Sequence, residues 1–325
     1  MFFLIIISTL SVNASTVKFA QISDVHFSNN KNDNFLNYYF TPYLLDEVIK
    51  EINNDNMIKF SLVTGDICED TFLEAKNAFM KLNNLNNKWY YVLGNHDIRE
   101  GVKKDYFEFL NQIGQTYNNG KTYYSFKPEK DITFIGIDTV LKAHGLKGTV
   151  SEEQIKYIEN IFKNLSSNDV VVIFSHHPLA RVDGYSYITN QNALDSLFDK
   201  YNIPVVLLSG HLHSPKIFAD KNKIVSVSSA LYMYPSAYRV ITIANLKDMT
   251  LIDFDFIEIS INKNLSLLKS CYYLNTGIKE KNKRQTIIIK KRKTSHPILK
   301  QIYYYFRSKY LLYKYKINLN TFIMN

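Results

Sequence analysis

Cysteine is nearly absent: Cys68 and Cys271 are the only two in 325 residues. Two thiols exclude a disulfide-stapled scaffold and a thiolate metal site, and buried free thiols are the plain reading. Long apolar runs are absent as well. No stretch reaches the roughly 18 consecutive apolar residues of a membrane-spanning helix. Acids are missing from the end of the chain: Lys281 to Asn325 holds twelve Lys or Arg and no Asp or Glu. The formal net charge of +9 therefore belongs to this tail, since residues 1–280 carry 27 basic against 30 acidic side chains. A body with a net charge of −3 does not imply a general nucleic-acid-binding surface, and no nucleic-acid partner is expected. Basic residues are missing from the start, where none precedes Lys18.

What is present at the start is "MFFLIIISTLSVNAS", a short apolar stretch ending in Val12-Asn13-Ala14. That small-residue ending is of the signal-peptidase kind, so residues 1–14 are expected to be a signal peptide of an exported or envelope-associated protein. The alternatives are a truncated start or an ordinary first strand, with a cytoplasmic location. A hydrophobic content of 46% and a charged content of 21% are ordinary for a globular chain.

Short apolar runs rich in β-formers recur at 17–23, 59–65, 88–94, 132–138, 170–176, 204–210, 223–229 and 238–244. Most are near-continuous, as strands covered on both faces tend to be. Amphipathic stretches of helical length separate them, at 41–54, 71–86, 102–113, 151–164 and 190–201. Ser151 followed by Gln154 predicts a capping box at the start of one of them. The alternation argues for an α/β domain, expected over residues 15–262. Beyond Leu274 a polar linker leads into a stretch that interleaves Tyr, Ile and Leu with Lys and Arg. Residues 263–325 are accordingly expected to be a linker and a basic, aromatic extension.

The chemistry sits at the strand ends. The run at 17–23 is followed by Asp24 and His26, and the run at 59–65 by Asp66. The run at 88–94 leads into Asn95, His96, Asp97 and Arg99. The runs ending at 176 and 210 deliver His176 and His177, then His211 and His213. Taken singly, each has a plain structural explanation: a turn, a helix cap or a satisfied core histidine. Together they bring six of the eight histidines to one kind of boundary. The carboxyl ends of strands face the ligand crevice in open α/β sheets, so five segments converge as a metal-binding cluster.

Asp24-Val25-His26, Gly65-Asp66, Gly94-Asn95-His96-Asp97, His176 and Gly210-His211-Leu212-His213 resemble, in order, the five blocks of the calcineurin-like metallophosphoesterase family. The resemblance covers roughly residues 17–245. "GNHDIR", "SHHP" and Gly148 to Phe162 are most similar to the bacterial class III cyclic-nucleotide phosphodiesterases within it. Leu179 and the segment 226–238 depart from the usual pattern, which leaves the substrate open.

The resemblance implies an α/β fold of four layers, with two mixed β-sheets face to face and helices outside. It implies two divalent metals, with Asp24, His26 and His213 on one, Asn95, His176 and His211 on the other, and Asp66 bridging. Two such ions, about 3.5–4 Å apart, share an anionic ligand that offsets their repulsion. Mixed nitrogen and oxygen ligands suit Mn, Fe or Zn. The implied reaction is hydrolysis of a phosphodiester, possibly a 3′,5′-cyclic nucleotide, by a metal-bridging hydroxide. A phosphomonoester, a glycerophosphodiester or a phospholipid headgroup is the alternative substrate. His96 is expected to contact phosphate or protonate the leaving group.

Asp97 and Glu69 either orient His96 or are solvated loop carboxylates. His177 either points away or supports a ligand, and Arg99 either binds phosphate or makes a surface ion pair. His144 is expected at the surface or reaching the pocket from a loop, and Tyr38, Tyr39 and Tyr232–Tyr234 stack a base or fill the fold. A reading of another class makes the chain chiefly a membrane-surface protein, its basic tail at 281–325 favouring anionic lipid.

Overall fold

The computed structural model describes residues 15–28, 37–99, 102–115, 120–140, 145–201, 203–233, 235–246, 249–259, 285–290 and 322–324. Residues 1–14, His144, Tyr234, Cys271 and most of the basic tail fall outside them, and with them the expectations of a signal peptide and of a lipid-facing extension.

The elements alternate as the apolar runs predict. Strand β1 (Ser15–Ile22) leads through a 3₁₀ turn to helix α1 (Thr41–Asn53), then β2 (Phe60–Thr64), α2 (Phe72–Leu82), β3 (Lys88–Val92) and α3 (Lys103–Gln112). The chain continues through β4 (Tyr124–Glu129), β5 (Ile132–Gly136), α4 (Glu152–Lys163), β6 (Val170–Phe174), α5 (Gln191–Tyr201) and β7 (Val205–Ser209). Strands β8 (Lys216–Asp220), β9 (Lys223–Val227), β10 (Ala237–Asn245) and β11 (Met249–Glu258) follow, then β12 (Gln285–Lys290) and β13 (Phe322–Met324).

Two mixed sheets form, in the orders β13-β12-β11-β10-β1-β2-β3 and β4-β5-β6-β7-β9-β8. Successive strand residues point to opposite faces, and here both faces are buried, which is why the runs look continuous. Val17 and Phe19 of β1, Phe60 and Leu62 of β2, Val170, Val172 and Phe174 of β6, and Val206 and Leu208 of β7 pack between the sheets. The alternate residues face the helices: Ala20, Ile22 and Val63 meet α1, α2 and α3, and Val171, Ile173, Val205 and Leu207 meet α4 and α5. The result is the expected four layers of helix, sheet, sheet and helix.

Two details depart from the sequence reading. The domain does not stop at 262, because β12 pairs antiparallel with β11 and its Ile287 and Ile289 enter the core between the sheets. Three consecutive isoleucines can be buried on a sheet even though lysines flank them in sequence. The capping box at α4 is half formed: Ser151 Oγ accepts from Gln154 N at 3.2 Å, but the Gln154 side chain turns to the end of β5. There it accepts from Asp138 N at 2.9 Å and donates to Asp138 O at 2.8 Å. The complete box is at α2, where Thr71 and Glu74 bond reciprocally. Among the described residues no helix is long and apolar enough to cross a membrane.

Candidate metal centre

Strands β1, β2 and β3 of one sheet and β6 and β7 of the other all end at the same edge of the sandwich, and the loops after them meet. The loop after β1 runs alongside the loop after β2: Asp24 N donates to Gly65 O at 3.1 Å and His26 N to Asp66 O at 2.9 Å. To turn their side chains inward, Asp24, His26, Asp66, His211 and His213 adopt left-handed backbone, with φ of 50°, 47°, 49°, 69° and 53°. L-residues rarely sit there, and the strain marks a site whose geometry is held by its surroundings. Two glycines allow the close approach. A Cβ at Gly94 would lie 2.2 Å from Asp66 Oδ1, and one at Gly210 would lie 2.3 Å from Asp24 Oδ2.

The side chains gather into two groups. Asp24, His26, Asp66 and His213 each offer a ligand atom, and the four atoms lie within 4.8 Å of one another. His213 Nε2 is 3.2 Å from Asp24 Oδ1, and His26 Nε2 is 3.6 Å from Asp66 Oδ2. In the second group His176 Nε2 lies 3.0 Å and His211 Nδ1 3.2 Å from Asn95 Oδ1, and the two ring nitrogens are 3.3 Å apart. Asp66 belongs to both, since its Oδ2 is also 3.3 Å from His176 Nε2.

The outer nitrogen of each imidazole is engaged elsewhere. His26 Nδ1 donates to Glu69 Oε2 at 2.5 Å, His176 Nδ1 to Thr64 O at 2.9 Å, and His211 Nε2 to Leu146 O at 3.1 Å. His213 Nδ1 lies 3.0 Å from the Tyr232 hydroxyl. A neutral imidazole that donates outward carries its lone pair inward. With those rings neutral, the centre would turn lone pairs and two buried carboxylates toward the same space. His26 Nε2 is buried and has no hydrogen-bond partner. Buried charge requires a partner, and cations supply one. The donor set fits metal ions.

Without an ion, Asp66 and His176 serve each other as counter-charge. Burial opposes ionisation of Asp66, but His176, together with His26 and His96, holds the carboxyl well below the usual range. Burial likewise disfavours the imidazolium of His176, yet Asp66 pushes it up to about 9. His211 is lowered to about 4 by burial and by His176.

The surrounding residues sort themselves. His96 is beside the centre, its ring 4.6 Å from that of His26, and its backbone N–H donates to Asp66 Oδ1 at 2.8 Å. Its Nδ1 lies 3.2 Å from Glu69 Oε2 and its Nε2 3.3 Å from Arg99 Nη2. Glu69 is thus no solvated loop carboxylate: it holds His26, His96 and, through Oε1 at 2.8 Å, Arg99. Arg99 also pairs with Asp70, which makes it an ion pair at the rim. Asp97 is fully buried and does not orient His96. Its Oδ1 accepts from Ile67 N and its Oδ2 from Gly94 N, both at 2.7 Å, and Oδ2 also accepts from Tyr91 OH at 2.6 Å. It ties the β2 loop to the β3 loop. His177 packs its ring 4.3 Å from that of His211 but gives both nitrogens to other partners: its Nε2 donates to Gly145 O at 3.3 Å and its Nδ1 lies 2.9 Å from Thr139 Oγ1. Burial, and then His176, lower it to about 2. Tyr38 and Tyr232 are buried against His26, at ring distances of 5.8 and 4.5 Å, and so line the centre, whereas Tyr39 is exposed.

A family model described as calcineurin-like phosphoesterase matches residues 17–215. The chain belongs to that family. It is a phosphoric ester hydrolase, and the family generally binds two divalent metals. A probable cyclic nucleotide phosphodiesterase of Xenorhabdus bovienii is 23% identical over 248 residues, covering 73% of this chain and 96% of the relative. A probable glycerophosphodiester phosphodiesterase of Arcobacter nitrofigilis is 27% identical over 226 residues, covering 65% of this chain and 76% of the relative. Among solved structures, a dimetal phosphatase from Danio rerio superposes with a TM-score of 0.61 at 16% identity, covering 75% of this chain and 99% of that one. That likeness bears on the fold, which is that of the phosphoesterase family.

The sequence reading did not name Thr64 or Leu146. Both act through backbone carbonyls, which no residue type announces.

Proposed function

We propose that this phosphoesterase hydrolyses a phosphodiester with two divalent ions, and that 3′,5′-cyclic nucleotides are among the diesters it accepts. The observation that carries the reading is the division of the inward ligand atoms into two groups sharing Asp66. In this reading Asp24, His26 and His213 hold one ion, Asn95, His176 and His211 the other, and Asp66 both. The mixture of imidazole nitrogen and amide or carboxylate oxygen suits Mn, Fe or Zn. When bound, such a pair supplies Lewis acidity to the phosphoryl oxygens and makes a shared water nucleophilic near neutral pH.

The residues of the chain supply position and proton handling. Asp66 is fixed by the His96 N–H and spans both halves of the centre. His96, partly exposed and seated on Glu69, reaches a phosphoryl oxygen or gives a proton to the leaving oxygen. Arg99 already pairs with Glu69 and Asp70, so it steadies the rim instead of reaching freely for phosphate. The names of the relatives support a diester substrate, since cyclic nucleotides and glycerophosphodiesters share that linkage.

The test is hydrolysis by Mn-loaded protein of bis(4-nitrophenyl) phosphate against 4-nitrophenyl phosphate, followed by 3′,5′-cyclic AMP and glycerophosphocholine. The expected result is a higher kcat/KM on the diester, with cyclic AMP converted. Faster turnover of the monoester would overturn the diester assignment, and glycerophosphocholine as the better natural substrate would replace the cyclic nucleotide. The basic tail as an anionic-lipid anchor is a separate proposal. Sedimentation with vesicles of the full chain and of a variant with Lys-to-Gln changes at 291–316 tests it, and equal pelleting would dismiss it.

A further inference from the structure

The outer partners of the four inward-facing imidazoles are not alike. Thr64 O, Leu146 O and the Glu69 carboxylate only accept, so the neutral rings of His176, His211 and His26 must carry their hydrogen outward. His213 differs. Its Nδ1 lies 3.0 Å from the Tyr232 hydroxyl, a group that donates as readily as it accepts. Its Nε2 lies 3.2 Å from Asp24 Oδ1, which as a carboxylate only accepts.

Two arrangements of hydrogens satisfy this geometry. With the centre empty, Nε2–H donates to Asp24 and the Tyr232 O–H donates to Nδ1. With a cation on Nε2, the hydrogen must sit on Nδ1 and donate to the Tyr232 oxygen, whose own O–H turns away. We propose that Tyr232 is a positioning residue that lets His213 change tautomer as the centre fills. The inference rests on the metal assignment made above. The exchange conserves protons: one leaves Nε2 for solvent, one arrives at Nδ1 from solvent, and the tyrosine O–H only rotates.

The surroundings hold everything else still. The Tyr232 ring is buried, 4.5 Å from the His26 ring, 4.8 Å from the Tyr38 ring and 5.2 Å from the His213 ring. The backbone beside it is tied to the loop that carries Asp24, since Leu231 N donates to Ser23 O at 3.2 Å and to Asp24 O at 3.0 Å. Hydroxyl and carboxylate thus reach His213 from one tethered unit, with a ring orientation that serves both tautomers.

The experiment uses the full chain labelled with ¹⁵N-histidine, stripped by chelator and then loaded with zinc, at pH 8. Long-range ¹H–¹⁵N spectra report the tautomer of each ring. The expected result is Nε2–H for His213 without zinc and Nδ1–H with it, while His26, His176 and His211 keep their hydrogens on Nδ1, Nδ1 and Nε2 when zinc is bound. In Tyr232→Phe, calorimetry is expected to show one of two zinc sites weakened by about tenfold or more, the range seen when an outer partner of a ligand is lost. The same tautomer of His213 with and without zinc would overturn the proposal, as would unchanged affinities in a folded variant. If Tyr232→Phe does not fold, the spectra of the unaltered chain decide alone. A chain that binds no zinc would sink the metal assignment itself, a result distinct from two bound ions with an unmoved His213 proton.

Discussion

Replacing Gly94 by alanine probes the shared role of Asp66 without touching a ligand. The new Cβ would stand 2.1 Å from the Asp66 amide nitrogen and 2.2 Å from its Oδ1, where ordinary contact begins near 3.4 Å. Either the carboxylate or the loop must therefore move by roughly 1 Å. The loop has little slack, because Gly94 N is bonded to Asp97 Oδ2 at 2.7 Å. The carboxylate is held by His96 N at 2.8 Å, so it moves only by losing that bond. Overpacking of this kind costs about 1–3 kcal/mol, a fall of roughly 2–10 °C in Tm for a domain of this size. A displacement of about 1 Å in a group that orients the reacting atoms costs on the order of 10² in rate. The expected outcome is a hundredfold lower kcat/KM on bis(4-nitrophenyl) phosphate with only a modest drop in Tm. Gly120→Ala is the control, since a Cβ there meets nothing within 4 Å and its effect should be confined to backbone strain. A folded Gly94→Ala enzyme with the kcat/KM and metal content of the parent would refute the reasoning.

Other outcomes follow from the same contacts. Asp97→Asn puts an NH₂ group where backbone N–H groups and Tyr91 OH donate, and should cost on the order of 3 kcal/mol in urea denaturation; an unshifted midpoint would deny its role in tying the loops. Deleting residues 263–325 removes Ile287 and Ile289 from between the sheets, worth about 1.5–3 kcal/mol each, so the midpoint should fall; no change would restore the view of a detached extension. Stripping the ions leaves Asp24 and Asp66 buried with only neighbouring imidazoles to offset their charge. With ions at a hundred times their Kd, each site should add about 2.7 kcal/mol, seen as a chelator-sensitive Tm. Gln154→Leu breaks both bonds to Asp138 and should destabilise by about 1–3 kcal/mol, with activity per folded molecule retained.

The strands and helices that face the core were legible because burial on both sides writes a continuous apolar run, and an amphipathic helix writes a 3.6-residue stripe. The strands that escaped notice lack that signature. Strand β4 contains Pro128 and a register shift between Phe126 and Glu129, and β8 is a short edge strand with an exposed end. Strand β12 was masked by its lysines. The candidate ligands were legible because Asp, Asn and His directly after apolar runs are conspicuous in type and place. Their supports were not, because Thr64 O meets His176 across 112 residues of chain and Leu146 O meets His211 across 65. Glu69 and Asp97 look in sequence like any loop acids, and only the packing of the β1, β2 and β3 loops buries them.

The left-handed turns at Asp24, His26, Asp66, His211 and His213 also govern how portable this chemistry is. Copying those five side chains onto relaxed loops of another scaffold would splay them, because the bend that aims each one is enforced by neighbouring sheets and not by the residue itself. Asparagine, which tolerates such a bend better than alanine, is consequently the gentler replacement for either aspartate when the fold must survive the loss of a ligand.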